Sequence, residues 1–167
     1  MKTLAQLALV VLVALGGSVV RAQEPGSDFD VDLPSGWEMT TFVDGAKVKR
    51  TEYVFGDRSK ALLKVKRLRS ERSEGFESLV TGDVEGGLKF QPGFVAGRNE
   101  RFGGGTLAGS LVEFDFTRGG RPMLGRNYYL QAADGSVWVL QFTGDRTTLG
   151  GIRNLTDQIA RSFRAKP

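Results

Sequence analysis

The chain is expected to fold as α+β, with an antiparallel sheet of about six to eight strands, a mid-chain helix and a C-terminal helix. Three observations predict this. Short alternating runs recur between turn signals such as Asp44-Gly45, Arg118-Gly119-Gly120 and Asp134-Gly135, and turns this tight join antiparallel neighbours. Two stretches carry apolar residues at helical spacing instead: Phe76, Leu79, Val80, Val84 and Leu88, then Leu149, Ile152, Leu155, Ile159 and Phe163. Finally, these two stretches follow runs of strands rather than alternating with them one by one, as a parallel sheet would require.

The elements follow in order. Phe29-Asp30-Val31-Asp32-Leu33 alternates and reads as a strand, and Pro34-Ser35-Gly36 turns the chain into a second strand from Trp37 to Val43. After Asp44-Gly45, strands are expected at 47–55 and 60–68, separated by Gly56-Asp57-Arg58-Ser59. The mid-chain helix spans 76–88, weakened by Gly82, Gly86 and Gly87 and stopped by Gln91-Pro92-Gly93. Strands at 94–102, 106–117, 121–132 and 136–143 follow, and a helix from about Leu149 to Phe163 closes the chain. Trp138, Leu140 and Phe142 share one strand face, as do Val112, Phe114 and Phe116; both sets are expected in the core under the terminal helix.

Residues 1–22 have the organisation of a secretory signal. Lys2 supplies a basic start, an apolar run extends from Leu4 to Val20, and small residues precede Gln23-Glu24-Pro25. The run is short for a spanning anchor and carries the Gly16-Gly17 pair near its end. Cleavage after Ala22 is expected, leaving a short leader at 23–28 and one domain. No cysteine follows the run, so lipoprotein attachment is excluded, and the protein is expected to be exported to a periplasmic or secreted location.

Composition removes much chemistry. The chain has no cysteine and no histidine, which excludes disulfides, Ser-His-Asp and Cys-His nucleophilic sites, and His/Cys zinc sites. Lys2 and Arg21 lie in the signal, so the mature chain carries 21 basic and 19 acidic residues, a net +2 against +4 for the whole. That balance gives no case for nucleic acid. No cofactor is expected.

Two motifs frame the domain: Phe29-x-Val31-x-Leu33-Pro34-x-Gly36-Trp37 at its start and Ile159-x-x-Ser162-Phe163 at its end. With the exported start, the hairpins and the two helices, they make the chain resemble the PsbP-like family, which shares its α/β/α sandwich with the Ran-binding Mog proteins. The resemblance covers nearly all of residues 29–167 and implies a single PsbP-like domain, a non-enzymatic accessory module that binds other proteins. The photosynthetic members assist photosystem II on the lumenal side. The metal binding credited to some involves histidine, which this chain lacks. Mog proteins bind a nuclear GTPase, which an exported protein would not meet. The chain's organisation is nearest to bacterial members with signal sequences, and no functional residue carries over.

The sharpest local feature is a basic run, Arg58, Lys60, Lys64, Lys66, Arg67, Arg69 and Arg72, in which Glu71 is the one acid from Arg58 to Arg72. On a strand, Lys60, Lys64 and Lys66 share a side, lining a sheet face or edge. Such a surface suits an acidic protein partner in the cell envelope or anionic lipid head groups; the plainer reading is a solvated face or a lysine-protected edge. Three further patterns read more simply as structure. Asp28, Asp30 and Asp32 alternate on an exposed first strand without the glycine turn and distal Glu of a calcium loop. Glu113 and Asp115 lie two apart on one strand, where they face water or pair with Arg126 or Arg121 on the next strand, rather than flanking a scissile bond. Gly103-Gly104-Gly105 precedes a strand and lacks a P-loop lysine. The expected function is therefore an exported accessory or protein-binding domain. The alternative is a carrier that encloses a small apolar ligand between sheet and helix.

Overall fold

The computed structural model describes residues 20–22, 28–43, 49–69, 74–104 and 107–166. The apolar run of the expected signal up to residue 19, most of the leader, the Asp44-Gly45 turn, Arg72 and Gly105 lie outside the described residues. Two short strands come first, β1 (Val20–Ala22) and β2 (Phe29–Leu33), followed by β3 (Trp37–Val43), β4 (Lys49–Phe55) and β5 (Ala61–Arg67). Helix α1 (Phe76–Gly86) and a 3-10 turn (Leu88–Phe90) lead into β6 (Val95–Gly104), β7 (Leu107–Arg118), β8 (Arg121–Gln131) and β9 (Val137–Asp145). Helices α2 (Arg146–Gly151) and α3 (Arg153–Ser162) and a final strand, β10 (Arg164–Ala165), complete the chain.

β3 to β9 form one antiparallel sheet of seven strands in the order β3-β4-β5-β9-β8-β7-β6. Two meanders, β3-β4-β5 and β6-β7-β8-β9, are each built from sequential neighbours, as the turn signals predict. They join through β5 and β9, from Ala61↔Gly144 to Arg67↔Trp138. This seam is long-range, and no local pattern announces it. β2 lies outside this sheet, between β1 and β10. Arg21 pairs in register with Asp32, so cleavage after Ala22 would remove β1 from β2.

The sheet has a different core on each face. Toward α3, Tyr53, Leu63, Leu111, Tyr128, Leu130, Leu140 and Phe142 pack with Val31 and Leu33 of β2 and with Leu149, Ile159 and Phe163. Toward α1, Val112, Phe114, Phe116, Met123, Tyr129 and Val139 pack with Val80 and Leu88. The expectation for Trp138, Leu140 and Phe142 holds. Val112, Phe114 and Phe116 correct it: they face α1, because their parity on β7 is opposite to that of Leu111, whose side points at α3. A strand pattern shows which residues share a face but not which layer covers that face.

The terminal helix also differs from its expected bounds. It begins at Arg146, because the Asp145 side chain accepts hydrogen bonds from the backbone N–H groups of Thr147 and Thr148, both 3.0 Å, as an N-cap. It then breaks at Ile152, which separates α2 from α3.

The two framing motifs meet in space. Gly36 turns at φ +90°, a conformation that favours glycine, and a Cβ there would lie 2.7 Å from the Phe55 ring. This turn brings Trp37 onto Phe55 and Phe142, with ring centroids 5.7 Å apart in both pairs. At the other end, the Asp32 N–H donates to Ser162 Oγ at 2.8 Å, and that hydroxyl donates to Ile159 O at 2.7 Å. Phe163 packs against Phe29 and Trp138. The motifs thus tie β2 and the end of α3 onto the sheet.

Candidate functional site

The basic run is divided by strand parity. β5 is an interior strand between β4 and β9, so its lysines line a face and protect no edge. Lys64 and Lys66 point to the α1 side with Leu62, while Ala61, Leu63 and Val65 take the opposite side, as expected. Helix α1 covers β7, β8 and β9 on its side but leaves β3, β4 and most of β5 open. On this open half-face Leu62 is buried where it pairs across β4 and β9, opposite Val54 and Thr143. Exposed Arg58, Lys60, Lys64 and Lys66 surround it.

These cations are partly neutralised. Glu52 on β4 is only 7% exposed; Arg58 reaches it at 2.8 Å and Lys64 at 3.4 Å. The Arg58 guanidinium also lies 4.7 Å from the centroid of the Phe42 ring. Lys66 donates to Asp83 of α1 at 2.8 Å. Asp57 orders the turn that carries Arg58 and Lys60. Its Oδ1 accepts from Ser59 Oγ at 2.5 Å, from Ser59 N at 2.8 Å and from Lys60 N at 3.1 Å. The Ser59 hydrogen bonds, with lesser help from Lys60, hold the Asp57 carboxyl below its ordinary value. Two members of the run lie elsewhere. Arg67 faces the other side of the sheet, 6.0 Å from the Trp138 ring centroid and 3.8 Å from Asp134. Arg69 follows β5 and lines a cleft of about 220 Å³ with Glu74, Ser78 and Asp83.

A second polar constellation lies under α3. Arg126 on β8 is 1% exposed. It donates to Glu113 directly opposite on β7, to Asp157 of α3 at 2.8 Å and to the Tyr128 hydroxyl at 2.8 Å. Tyr128 donates to Asp157 and lies 2.8 Å from the Thr156 hydroxyl. Arg153 of α3 closes on Glu113 through Nη2 at 3.0 Å and Nε at 3.3 Å. Two cations and two carboxylates thus neutralise one another. Burial opposes the charge on Arg126, but Tyr128, Asp157 and Glu113 overcome it and hold the guanidinium above its ordinary value. Burial, reinforced by Asp157, pushes Tyr128 up. Tyr129, on the other face, is pushed up by burial and by Asp83, which accepts its hydroxyl at 2.8 Å.

Glu113 therefore pairs with Arg126 as the sequence suggests, but in the interior rather than at the surface. Asp115 pairs with Arg146 of α2 at 3.3 Å, not with Arg121. The size of the cluster was not legible, since Arg153 and Asp157 are far away in sequence. The alternating β7 acids and an arginine within the apolar stretch of β8 were its sequence signals. Asp30 and Asp32 pair with Lys166 and Arg164 at 3.0 and 3.5 Å, and among the described residues no group of acidic side chains is arranged to hold a metal ion. Between the sheet and α3, aromatic rings lie in contact: Phe29, Trp138 and Phe163 in one group, Phe102, Tyr128, Phe142 and Trp37 in another.

No family model and no curated protein matches the chain. Solved structures do. LpqN of Mycobacterium tuberculosis, described as involved in cell envelope biogenesis, is similar with a TM-score of 0.61 at 14% identity over 91% of each chain. CyanoP, the cyanobacterial PsbP of Synechocystis, has a TM-score of 0.59 at 13% identity, covering 95% of this chain and 98% of its own. The Ran-binding protein Mog1p of Saccharomyces cerevisiae has a TM-score of 0.58 at 9% identity, covering 90% and 96%. The fold is thus the PsbP-like and Mog-type α/β/α sandwich expected from the two motifs. Among the described residues no helix is long and apolar enough to cross a membrane.

Proposed function

We propose that this protein is an exported, non-catalytic accessory domain that binds an acidic protein of the cell envelope through the open half-face of its sheet. The observation that carries this reading is the half-face itself. β4, most of β5 and the Trp37 end of β3 are backed by the second layer on one side and uncovered by α1 on the other, and the uncovered side carries Arg58, Lys60, Lys64 and Lys66 around Leu62. Sheet surfaces of this kind recruit partners by electrostatic steering. The basic start and apolar run of residues 1–22 support export, and the involvement of LpqN in cell envelope biogenesis is compatible with it. A non-catalytic role is supported by the pairing of the buried carboxylate Glu113, and of Asp157 beside it, with arginines.

The test compares the two sides of the sheet. Lys60→Glu with Lys64→Glu reverses two charges on the open half-face, and Arg67→Glu reverses one on the opposite face. The paired lysine variant is expected to lose the envelope partner about tenfold, roughly 1.4 kcal/mol, with binding of the natural chain weakening as salt rises, while Arg67→Glu retains it. Equal recovery by all three chains removes the half-face from consideration, and binding to anionic lipid vesicles in place of protein rejects the protein-partner reading.

A further inference from the structure

The two edges of the seven-stranded sheet are built differently. β6 carries Arg98, Glu100 and Arg101, is interrupted by a bulge between Ala96 and Asn99, and has its Gly103 carbonyl taken by Arg161 at 3.2 Å. Each of these devices discourages pairing with another strand. β3 has no bulge and a single charge. It is a regular strand of seven residues, Trp37-Glu38-Met39-Thr40-Thr41-Phe42-Val43, whose one charged side chain is Glu38, and no described strand pairs with its outer side. Glu38, Met39, Thr40, Thr41 and Val43 are all exposed.

We infer that β3 pairs antiparallel with β3 of a second copy of this chain, centred on Thr40. The occupant follows from charge and side-chain complementarity in that register. Residues that face each other across antiparallel strands share a sheet face. On the α1 side Thr40 meets Thr40, and Glu38 falls opposite Phe42 of the other copy. Arg58 lies 4.7 Å from that Phe42 ring centroid, so the carboxylate of each copy meets the guanidinium of the other. Glu38 makes no ion pair among the described residues, and the two Glu38 side chains stay about 13 Å apart, four residues along the strand. On the opposite side Trp37 meets Val43 and Met39 meets Thr41. No like charges oppose each other, and the pairing runs along the whole strand. The two-fold axis stands perpendicular to the sheet, so both open half-faces lie on the same side of one continuous sheet of fourteen strands, twice the seven of one copy.

The chain contains no cysteine, so one introduced cysteine reports the pairing cleanly. Directly opposed residues of an antiparallel pair have Cα atoms about 4.5–5.5 Å apart, within the range a disulfide spans. Under mild oxidation Thr40→Cys is expected to form a disulfide-linked dimer about tenfold faster than Glu38→Cys or Thr41→Cys, whose residues do not oppose themselves, and faster than Glu100→Cys on β6. Adding Glu38→Lys to the Thr40→Cys chain slows cross-linking, with the folded circular dichroism spectrum retained. Equal rates at Thr40 and Glu100, or a faster rate at Glu38, overturn the proposal. So does a disulfide joining the Thr40→Cys chain to a different protein, which would assign the edge to a foreign strand.

Discussion

β8 and β3 belong to the same sheet and have opposite characters. Along β8, eight consecutive residues from Met123 to Leu130 are buried, sandwiched between α1 and α3. Along β3, Trp37 is buried and every other residue but Phe42 is exposed. The difference separates what holds the molecule together from what it offers to others. The β6–β9 half carries both cores and the Arg126 cluster, so side chains there are constrained from two sides. The β3–β5 half is held by one layer, by the Gly36 turn and by the seam with β9, which leaves a face and an edge free for recognition.

Substitutions should reveal this asymmetry in stability, beginning with the largest effect. Arg126→Met is expected to cost about 3–5 kcal/mol in chemical denaturation, because it strips Asp157 and part of Glu113 of their buried counter-charge. A loss under 1 kcal/mol would mean that α3 is held by its apolar face alone. Gly125→Ala follows, at about 1–3 kcal/mol, since a Cβ there would lie 2.2 Å from the Phe114 ring carbon Cζ in the packed face under α1. Asp145→Ala removes the cap of α2 and should cost about 1 kcal/mol, read as a lower thermal midpoint. Thr40→Lys, on the open strand, should stay within about 0.5 kcal/mol when measured on the monomer, at a dilution where two copies do not pair. A large loss at Thr40 would make the two halves energetically alike.

Alkaline pH probes the covered half selectively. Tyr128 and Tyr129 are both held above the ordinary tyrosine value, chiefly by burial and then by Asp157 and Asp83 respectively. A raised folded value contributes stability that is intact below the unfolded value of about 10 and is lost as pH rises through the folded value. The unfolding midpoint should therefore fall from about pH 10 upward. Tyr129→Phe, which leaves Asp83 bound to Lys66, should flatten that fall. An unchanged alkaline slope would show that Tyr129 does not ionise with unfolding.

Hairpins, both helical stretches and the two framing motifs were legible because each is a local pattern: alternation, 3-4 spacing, a glycine turn, a serine and phenylalanine closing a helix. The helix start was missed because the capping side chain of Asp145 belongs to the preceding strand. The facing of Val112, Phe114 and Phe116 was missed because parity carries no label for the covering layer. The basic run was visible as composition. Its division into four residues on one face, Arg67 on the other and Arg69 past the strand end depends on where β5 stops and what packs beside it.

By itself, then, the sequence determined the α+β class, the strand and helix periods, the two framing motifs and the absence of histidine and cysteine chemistry, since these depend on residue type and short-range spacing. The tertiary structure alone decided the rest. The β5–β9 seam makes β5 interior and β3 an edge, α1 stops short of half the sheet, and Arg126 collects partners from β7 and α3 that lie 13 and 31 residues away. Those outcomes depend on contacts between distant segments, and a local pattern holds no record of which distant segment will arrive.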